Sequence, residues 1–235
     1  MLDVDVIVTS MDGEPQLDAC MKSLREQTYP FYRIINIHGV SPFHLAWNRA
    51  VHNVSAEWYA NVGSDCIYEK DALEKVVRFM ESYLPDEKCC GYCFSCYDAF
   101  LEIRAGFLCV LRASAFKTQE ATNHLTFDRE VMSNLRNQGW FLRKNNEIVG
   151  THFPDPSEYQ VFHRFFILAT KDGKKGYDLN KNILTKLYER DRNPLQKLAL
   201  DSLDFGVNKG RYPTSIDDRY NRKMYDEFNR QRDNY

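Results

Sequence analysis

The chain has 235 residues, 43% of them hydrophobic and 14% aromatic, which is enough for one large domain, or a domain with an appendage, and too apolar for wholesale disorder. A formal net charge of -2 argues against a protein built to grip nucleic acid phosphates, and no long uncharged apolar run is present to cross a membrane. The opening "MLDVDVIVTS" carries acids where a secretion signal would carry basic residues, so the simplest expected location is the cytoplasm.

In chain order, "DVDVIVTS" (residues 3–10) is an apolar, β-rich run ending in polar residues. "EPQLDACMKSLREQT" then sets Leu17, Cys20, Met21 and Leu24 at helical spacing, with Pro15 near the opening. "FYRIINIHG" predicts a second strand stopping at Gly39, and "SPFHLAWNRAVHNV" a helix with Leu45, Ala46, Ala50 and Val51 on one side. "EWYANVG" predicts a third strand, and "KDALEKVVRFMESYL" a strongly amphipathic helix. This alternation predicts a parallel sheet covered by helices.

After Pro85 the pattern changes. "GYCFSCYDAFLEIRAGFLCVLRASAF" predicts two or three strands without a long crossover helix, "FDREVMSNLRNQG" a helix stopping at Gly139, and "FLRKNNEIVGTHF" a strand leading to His152. From about Lys171 the text is polar and charged, with helical stretches such as "NILTKLYERD" and "SIDDRYNRKMYDEFNRQ" separated by a "GRYP" turn. The expected division is residues 1–170 as the main domain and 171–235 as a helical C-terminal extension. That tail holds 15 Lys or Arg against 11 Asp or Glu. The charges are interspersed, so helices that brace the main domain or make a homodimer contact are preferred over an anionic membrane surface, which stays open as a peripheral contact.

Four of the seven cysteines cluster as Cys89, Cys90, Cys93 and Cys96. Cys93 and Cys96 have the spacing of a zinc knuckle, but no second Cys or His pair follows at the usual distance. Their aromatic neighbours favour a strand, where Cys93 and Cys96 point to opposite faces. Small, buried, reduced cysteines are the expectation.

In an open parallel sheet, ligands bind beyond the carboxyl ends of the strands. Three polar clusters fall there: "TSMDGE", "HGVS" and "GSDC". A nucleotide-sized cleft follows from that convergence, and an acid beside a diphosphate calls for Mg²⁺ or Mn²⁺. On the residues alone Asp65 is equally well a turn or helix-cap residue.

The order of motifs resembles the family-2-like glycosyltransferases of GT-A fold, which move a sugar from a nucleotide diphosphate to an acceptor. The likeness starts in "VIVTSMDGEPQLDACMKSLREQTYPFYRIINIHG", where "SLREQTYP" (residues 23–30) is its most specific part. "WNRAVHNVSAEWYANVGSDCIYEKDAL" is similar to the family's Asn-containing helix, third strand and metal-binding Asp-x-Asp element. "FDREVMSNLRNQGW" resembles its acidic motif, and His152 in "IVGTHF" falls where such enzymes often carry a late histidine. The resemblance covers roughly residues 3–155. It implies a GT-A, Rossmann-like α/β fold: a mostly parallel central sheet flanked by helices, with the helical extension outside the match.

The resemblance also implies roles. Thr9, Ser10, Met11 and Asp12 match the nucleoside loop. Asp65, with Ser64 beside it, matches the acid expected to touch metal and diphosphate, and Asp128 the catalytic base of inverting members. His152 completes the metal shell or binds diphosphate; His38 stacks on or bonds a base; Asn48 contacts the ligand. The implied activity is hexosyl transfer from a nucleotide-diphosphate sugar donor to a glycan or other hydroxyl acceptor, assisted by Mn²⁺ or Mg²⁺, as in polysaccharide synthesis.

Departures and competing readings accompany each residue. Gly63 stands at the first acid of Asp-x-Asp, Cys66 at a frequent third acid, and "HGVS" where many members have two aspartates. Asp12 also fits an Asp-Gly turn, His38 a surface histidine, Asn48 a locally bonded helix residue, Asp128 a helix N-cap and His152 a structural histidine. Arg104 and Arg112 read as solvated, and His44, His52, His124 and His163 as structural. The rival functions are a non-catalytic nucleotide- or partner-binding protein and a nucleotidyltransferase. The latter lacks a glycine-rich basic loop in "TSMDGEPQ".

Overall fold

The computed structural model describes all residues except 1, 12, 13, 32, 85, 125, 172, 210–217 and 233–235. The first strand–helix pairs follow the hydrophobic periodicity: β1 (Val4–Ser10), α1 (Leu17–Arg25), β2 (Arg33–His38), α2 (Phe43–Asn53) and β3 (Trp58–Gly63). A three-residue strand, β4 (Cys66–Tyr68), precedes α3 (Ala72–Glu81). The sequence pattern does not announce β4, because it is held by an antiparallel partner more than eighty residues away, Ile67 opposite Thr151. Then come β5 (Cys89–Asp98), β6 (Ile103–Arg112), the short α4 (Ala113–Phe116), α5 (Phe127–Asn137) and β7 (Phe141–His152).

The seven strands form one sheet in the order β2-β1-β3-β6-β5-β7-β4. Strands β2, β1, β3, β5 and β7 run one way, while β6 and β4 run against them. Strand β1 alternates between two cores. Val4, Val6 and Val8 pack with α1 and α3, and Ile7 packs with α2, α4 and α5. On α3 the residues Ala72, Leu73, Val76, Val77 and Met80 are all buried at helical spacing. Burying each of the larger ones contributes about 1.5–3 kcal/mol, so this face fixes α3 to the sheet.

Cys93 and Cys109 stand directly opposite on β5 and β6, with Cα atoms 4.1 Å apart, and are joined as a disulfide. This corrects the expectation that Cys93 is reduced, since cross-strand neighbours at this separation are within bonding reach. Cys20, Cys66, Cys89, Cys90 and Cys96 are free and buried.

By packing, residues 1–122 and 127–155 form one unit and residues 123–126 and 156–235 a second. The second holds α6 (Glu158–Lys171), α7 (Gly173–Asp191), α8 (Pro194–Asn208) and α9 (Asp218–Arg232). Helix α6, which the sequence division at 170/171 leaves with the first domain, therefore groups with the C-terminal helices. Gly206 explains how closely α6 and α8 approach: a Cβ there would lie 2.8 Å from the Phe166 carbonyl oxygen and 2.7 Å from Ala169 Cβ. Phe162 is within 5.0–6.1 Å of the rings of Phe166, Tyr225, Phe228 and Phe205, an aromatic core that holds α6, α8 and α9 together. The predicted "GRYP" turn lies outside the described residues. Among those described, no helix is long and apolar enough to cross a membrane.

Candidate metal and nucleotide site

Strands β1, β2 and β3 end together, with Ser10 opposite His38 and Thr9 opposite Gly63. Strands β5 and β7 end on the same edge of the sheet, with Asp98 opposite His152. After β3 the chain turns at Ser64 and Asp65, and β4 then doubles back along β7 so that Cys66 faces His152. The Phe153 N–H donates to the Asp65 carbonyl oxygen at 2.8 Å and locks the two turns together. Residues 65 and 152 therefore meet because β3 and β7 end on the same edge of the sheet and β4 returns along β7.

His152 lies between two carboxylates. Its Nδ1 is 2.8 Å from Asp98 Oδ2 and its Nε2 is 3.3 Å from Asp65 Oδ2. Asp98 is wholly buried, and its Oδ1 accepts the N–H groups of Phe100 and Leu101 at 3.1 and 2.8 Å. A carboxylate so held is a fixed acceptor for an Nδ1 proton, and it orients the ring so that Nε2 is directed at Asp65. Asp65 is one-third exposed and His152 one-fifth, which leaves both within reach of a ligand from solvent. Phe153 and Asp155 adopt left-handed backbone conformations, φ 56° and 45°. Each costs roughly 1–3 kcal/mol, and such strain concentrates at functional sites. Gln16, buried at the start of α1, donates to the carbonyls of Pro154 and Asp155 at 2.8 and 3.2 Å and ties this segment to the β1–α1 loop.

That loop brings in a second acid. Burial holds Glu14 above the usual carboxylate range, and the Asp65 charge adds to the effect, against bonds from Ser64 and the Met11 backbone. Its Oε2 is buried and accepts no hydrogen bond among the described residues. Below the carboxylates lie thiols. Burial and the Asp65 charge push Cys20 up to about 12. The neighbouring Cys96 thiol and burial push Cys66 up, while the Cys66 thiol draws Cys96 down.

Asp65 and His152, the two residues matched to a metal site by resemblance, lie 3.3 Å apart, and Ser64 sits with them through Glu14. Ser10 and His38 form a separate pair on the β1 and β2 ends. Ser10 Oγ lies 3.0 Å from His38 Nδ1 and 3.1 Å from Asn36 Oδ1. Thr9 and Met11 flank this pair, half-buried, and Asp12 lies outside the described residues. Asn48 departs from the expected ligand contact. Its Nδ2 donates to the Ala121 carbonyl at 3.0 Å and its Oδ1 accepts the Ala121 N–H at 2.8 Å, so its amide ties α2 to the segment after α4. Asp128 is the second residue of α5 and exposed, inside the first turn rather than ahead of it.

Asp98 and Glu14 are the site residues that sequence reasoning missed. The signal for Asp98 was an acid at the end of a buried strand in "CYDAF". Glu14 stood in the same "MDGE" from which Asp12 was chosen.

The fold matches that of a mannosyltransferase, PcManGT from Pyrobaculum calidifontis, solved with GDP-Man and Mn²⁺. The TM-score is 0.53 at 14% identity, covering 91% of this chain and 79% of that one. The fold is GT-A. Residues 1–349 of S. aureus TarS align over 89% of this chain and 72% of theirs, with a TM-score of 0.48 and 12% identity. A197 from STIV aligns over 66% and 87%, with a TM-score of 0.46 and 11% identity. No family model matches the sequence, and neither does any curated protein.

Asp65, Cys66 and His152 offer three donor atoms within 4.8 Å of one another. A carboxylate oxygen suits Mg²⁺ or Mn²⁺ and an imidazole nitrogen suits Zn²⁺-type ions, and Asp98 bonds the far nitrogen of the histidine and fixes its ring.

Proposed function

We propose that the chain is a glycosyltransferase that moves a sugar from a nucleotide-diphosphate donor to a hydroxyl acceptor, with inversion and with a divalent metal. The observation that carries this is the Asp98–His152–Asp65 line at the strand ends of a GT-A fold. The complex of PcManGT with GDP-Man and Mn²⁺ supports the choice of ligands.

Asp65 and His152 would hold the metal, which when bound offsets negative charge on the departing diphosphate. Asp98 fixes the His152 ring so that Nε2 stays the donor atom. Ser10 and His38, paired at the ends of β1 and β2, are the proposed contacts to base or ribose through hydroxyl and imidazole. Asp128 is the proposed base: exposed at the head of α5, it would take the acceptor hydroxyl's proton as that oxygen attacks the anomeric carbon. A carboxylate used this way forms no covalent intermediate, so the anomeric configuration inverts.

A non-catalytic nucleotide-binding role is the second reading, favoured by Gly63 in place of the first acid. The two separate on Asp128→Asn. Incubation with sugar nucleotides and a panel of hydroxyl acceptors, followed by NMR of the anomeric proton, should give an inverted product that the variant does not form. A retained configuration, or equal turnover in the variant, removes Asp128 from the mechanism.

A further inference from the structure

The site differs from a hard-cation site in one respect: a sulfur stands in it. Cys66 and His152 are directly opposed across β4 and β7, and opposed residues of an antiparallel pair place their side chains on the same face of the sheet. Cys66 Sγ is 3.7 Å from Asp65 Oδ1, and His152 Nε2 is 3.3 Å from Asp65 Oδ2. Zinc bonds of about 2.0–2.3 Å in a tetrahedron set neighbouring ligand atoms roughly 3.3–3.7 Å apart. The two observed spacings, one to each oxygen of Asp65, are of that size, and one donor atom from each of the three residues lies within 4.8 Å of the others.

Gly63 is part of the same arrangement. A Cβ there would come 2.7 Å from Asp65 Oδ1 and 3.5 Å from Cys66 Sγ. The missing side chain is the space into which the Asp65 carboxylate folds, toward the sulfur. The glycine at 63 and the cysteine at 66 therefore belong to one design: the acid usual at the first position is given up, and a soft donor is gained.

We infer that Cys66 is a third protein ligand and that the site takes a borderline-soft dication, Zn²⁺ in preference to Mn²⁺ or Mg²⁺, held by Asp65 oxygen, Cys66 sulfur and His152 Nε2. This rests on the metal-assisted reading above and deepens it. Thiolate donors select zinc-type ions over hard ones, and Zn²⁺ also stands above Mn²⁺ in intrinsic affinity for such donors. Three protein ligands leave the fourth position to water or to an oxygen of a bound ligand, as in zinc sites that keep an open position. On ligation the Cys66 thiol releases its proton to solvent and the sulfur binds as thiolate. Cys66 is 4% exposed, so the ion must enter from the Asp65 and His152 side.

Co²⁺ reports the donor set directly. The metal-stripped protein is titrated with Co²⁺ alone and with GDP or UDP, and the absorption spectrum is recorded. The expected result is a visible cobalt spectrum with a near-ultraviolet sulfur-to-cobalt band that disappears in Cys66→Ser. One equivalent of Zn²⁺ should bleach it, while a hundredfold excess of Mn²⁺ should not. The unmutated protein loaded with cadmium-113 gives a check that needs no variant, because a cadmium–proton correlation to the Cys66 β-protons identifies the ligand. Visible cobalt bands without the sulfur band, or a sulfur band that survives Cys66→Ser, overturn the thiolate site and leave metal binding by Asp65 and His152 standing. No Co²⁺ or Mn²⁺ bound under any condition overturns both.

Discussion

Replacing Gly63 by alanine isolates the space that Asp65 occupies. The new methyl would begin 2.7 Å from Asp65 Oδ1, and ordinary van der Waals contact starts at 3.4 Å, so the carboxylate oxygen must retreat by about 0.7 Å. Cys66 Sγ, 3.5 Å from the new atom, can stay where it is. The Gly63 backbone is not in the left-handed region, so the effect is steric contact and not backbone strain. A displacement approaching 1 Å at a reacting centre costs on the order of 100-fold in rate, and disturbing the shell around a metal costs about 10–100-fold in affinity. Gly63→Ala should therefore bind divalent metal about 10–100-fold more weakly by isothermal titration calorimetry. Its stability should change little, since the roughly 0.4–1 kcal/mol gained from a stiffer unfolded chain opposes the local crowding. Gly63→Asp is the sharper variant. It restores the acid usual in Asp-x-Asp, yet it should weaken binding as much or more, because its Cβ meets the same oxygen. Tighter metal binding in Gly63→Asp would refute the reasoning.

Two further expectations concern the carboxylates on either side. Asp98→Asn keeps an acceptor for the Phe100 and Leu101 N–H groups but turns an amide donor toward His152 Nδ1, which drives the histidine proton to Nε2 and closes the donor atom. Metal affinity should fall about 10–100-fold and stability by about 1–3 kcal/mol, checked by calorimetry and urea unfolding; unchanged affinity would remove Asp98 from the site. Glu14 gives a pH signature. Its folded form holds the proton more tightly than the unfolded chain, so its contribution to stability is full below the ordinary Glu value and is lost as pH rises through the raised one. Glu14→Gln should melt higher than wild type at pH 7 and converge with it near pH 4. A lower melting temperature at pH 7 would mean that the bonds from Ser64 and Met11 outweigh burial.

Much of the fold was legible because the first three strands and their helices are written in local periodicity and bury continuous apolar faces. Asp65 and His152 were legible as candidates for a different reason. Asp65 follows a strand end, where ligands gather, but it was equally a turn residue on that ground, and the likeness to the glycosyltransferases singled out both it and His152. What local pattern could not supply was the pairing of β5 with β7, which puts Asp98 opposite His152 across 54 residues. Nor could it supply the return of β4 along β7, which makes Cys66 a neighbour of the histidine. Asn48 misled for a related reason. Its amide faces Ala121, a partner 73 residues away that no helical spacing announces. The disulfide likewise depends on the β5–β6 register and not on the spacing of the cysteine cluster.

The proposed activity requires a nucleotide-diphosphate sugar bound with a divalent metal at Asp65. Melting temperatures measured with UDP-, GDP-, CMP- and dTDP-sugars, each with and without Mn²⁺ or Zn²⁺, on wild type and Asp65→Asn, test it most directly. A ligand at 100 times its Kd stabilises the fold by about 2.7 kcal/mol, a rise of roughly 5–10 °C for a chain of this size. The expected result is such a rise for one nucleotide class, dependent on the metal and absent in Asp65→Asn. No rise with any donor, or a rise indifferent to both metal and Asp65, would contradict it.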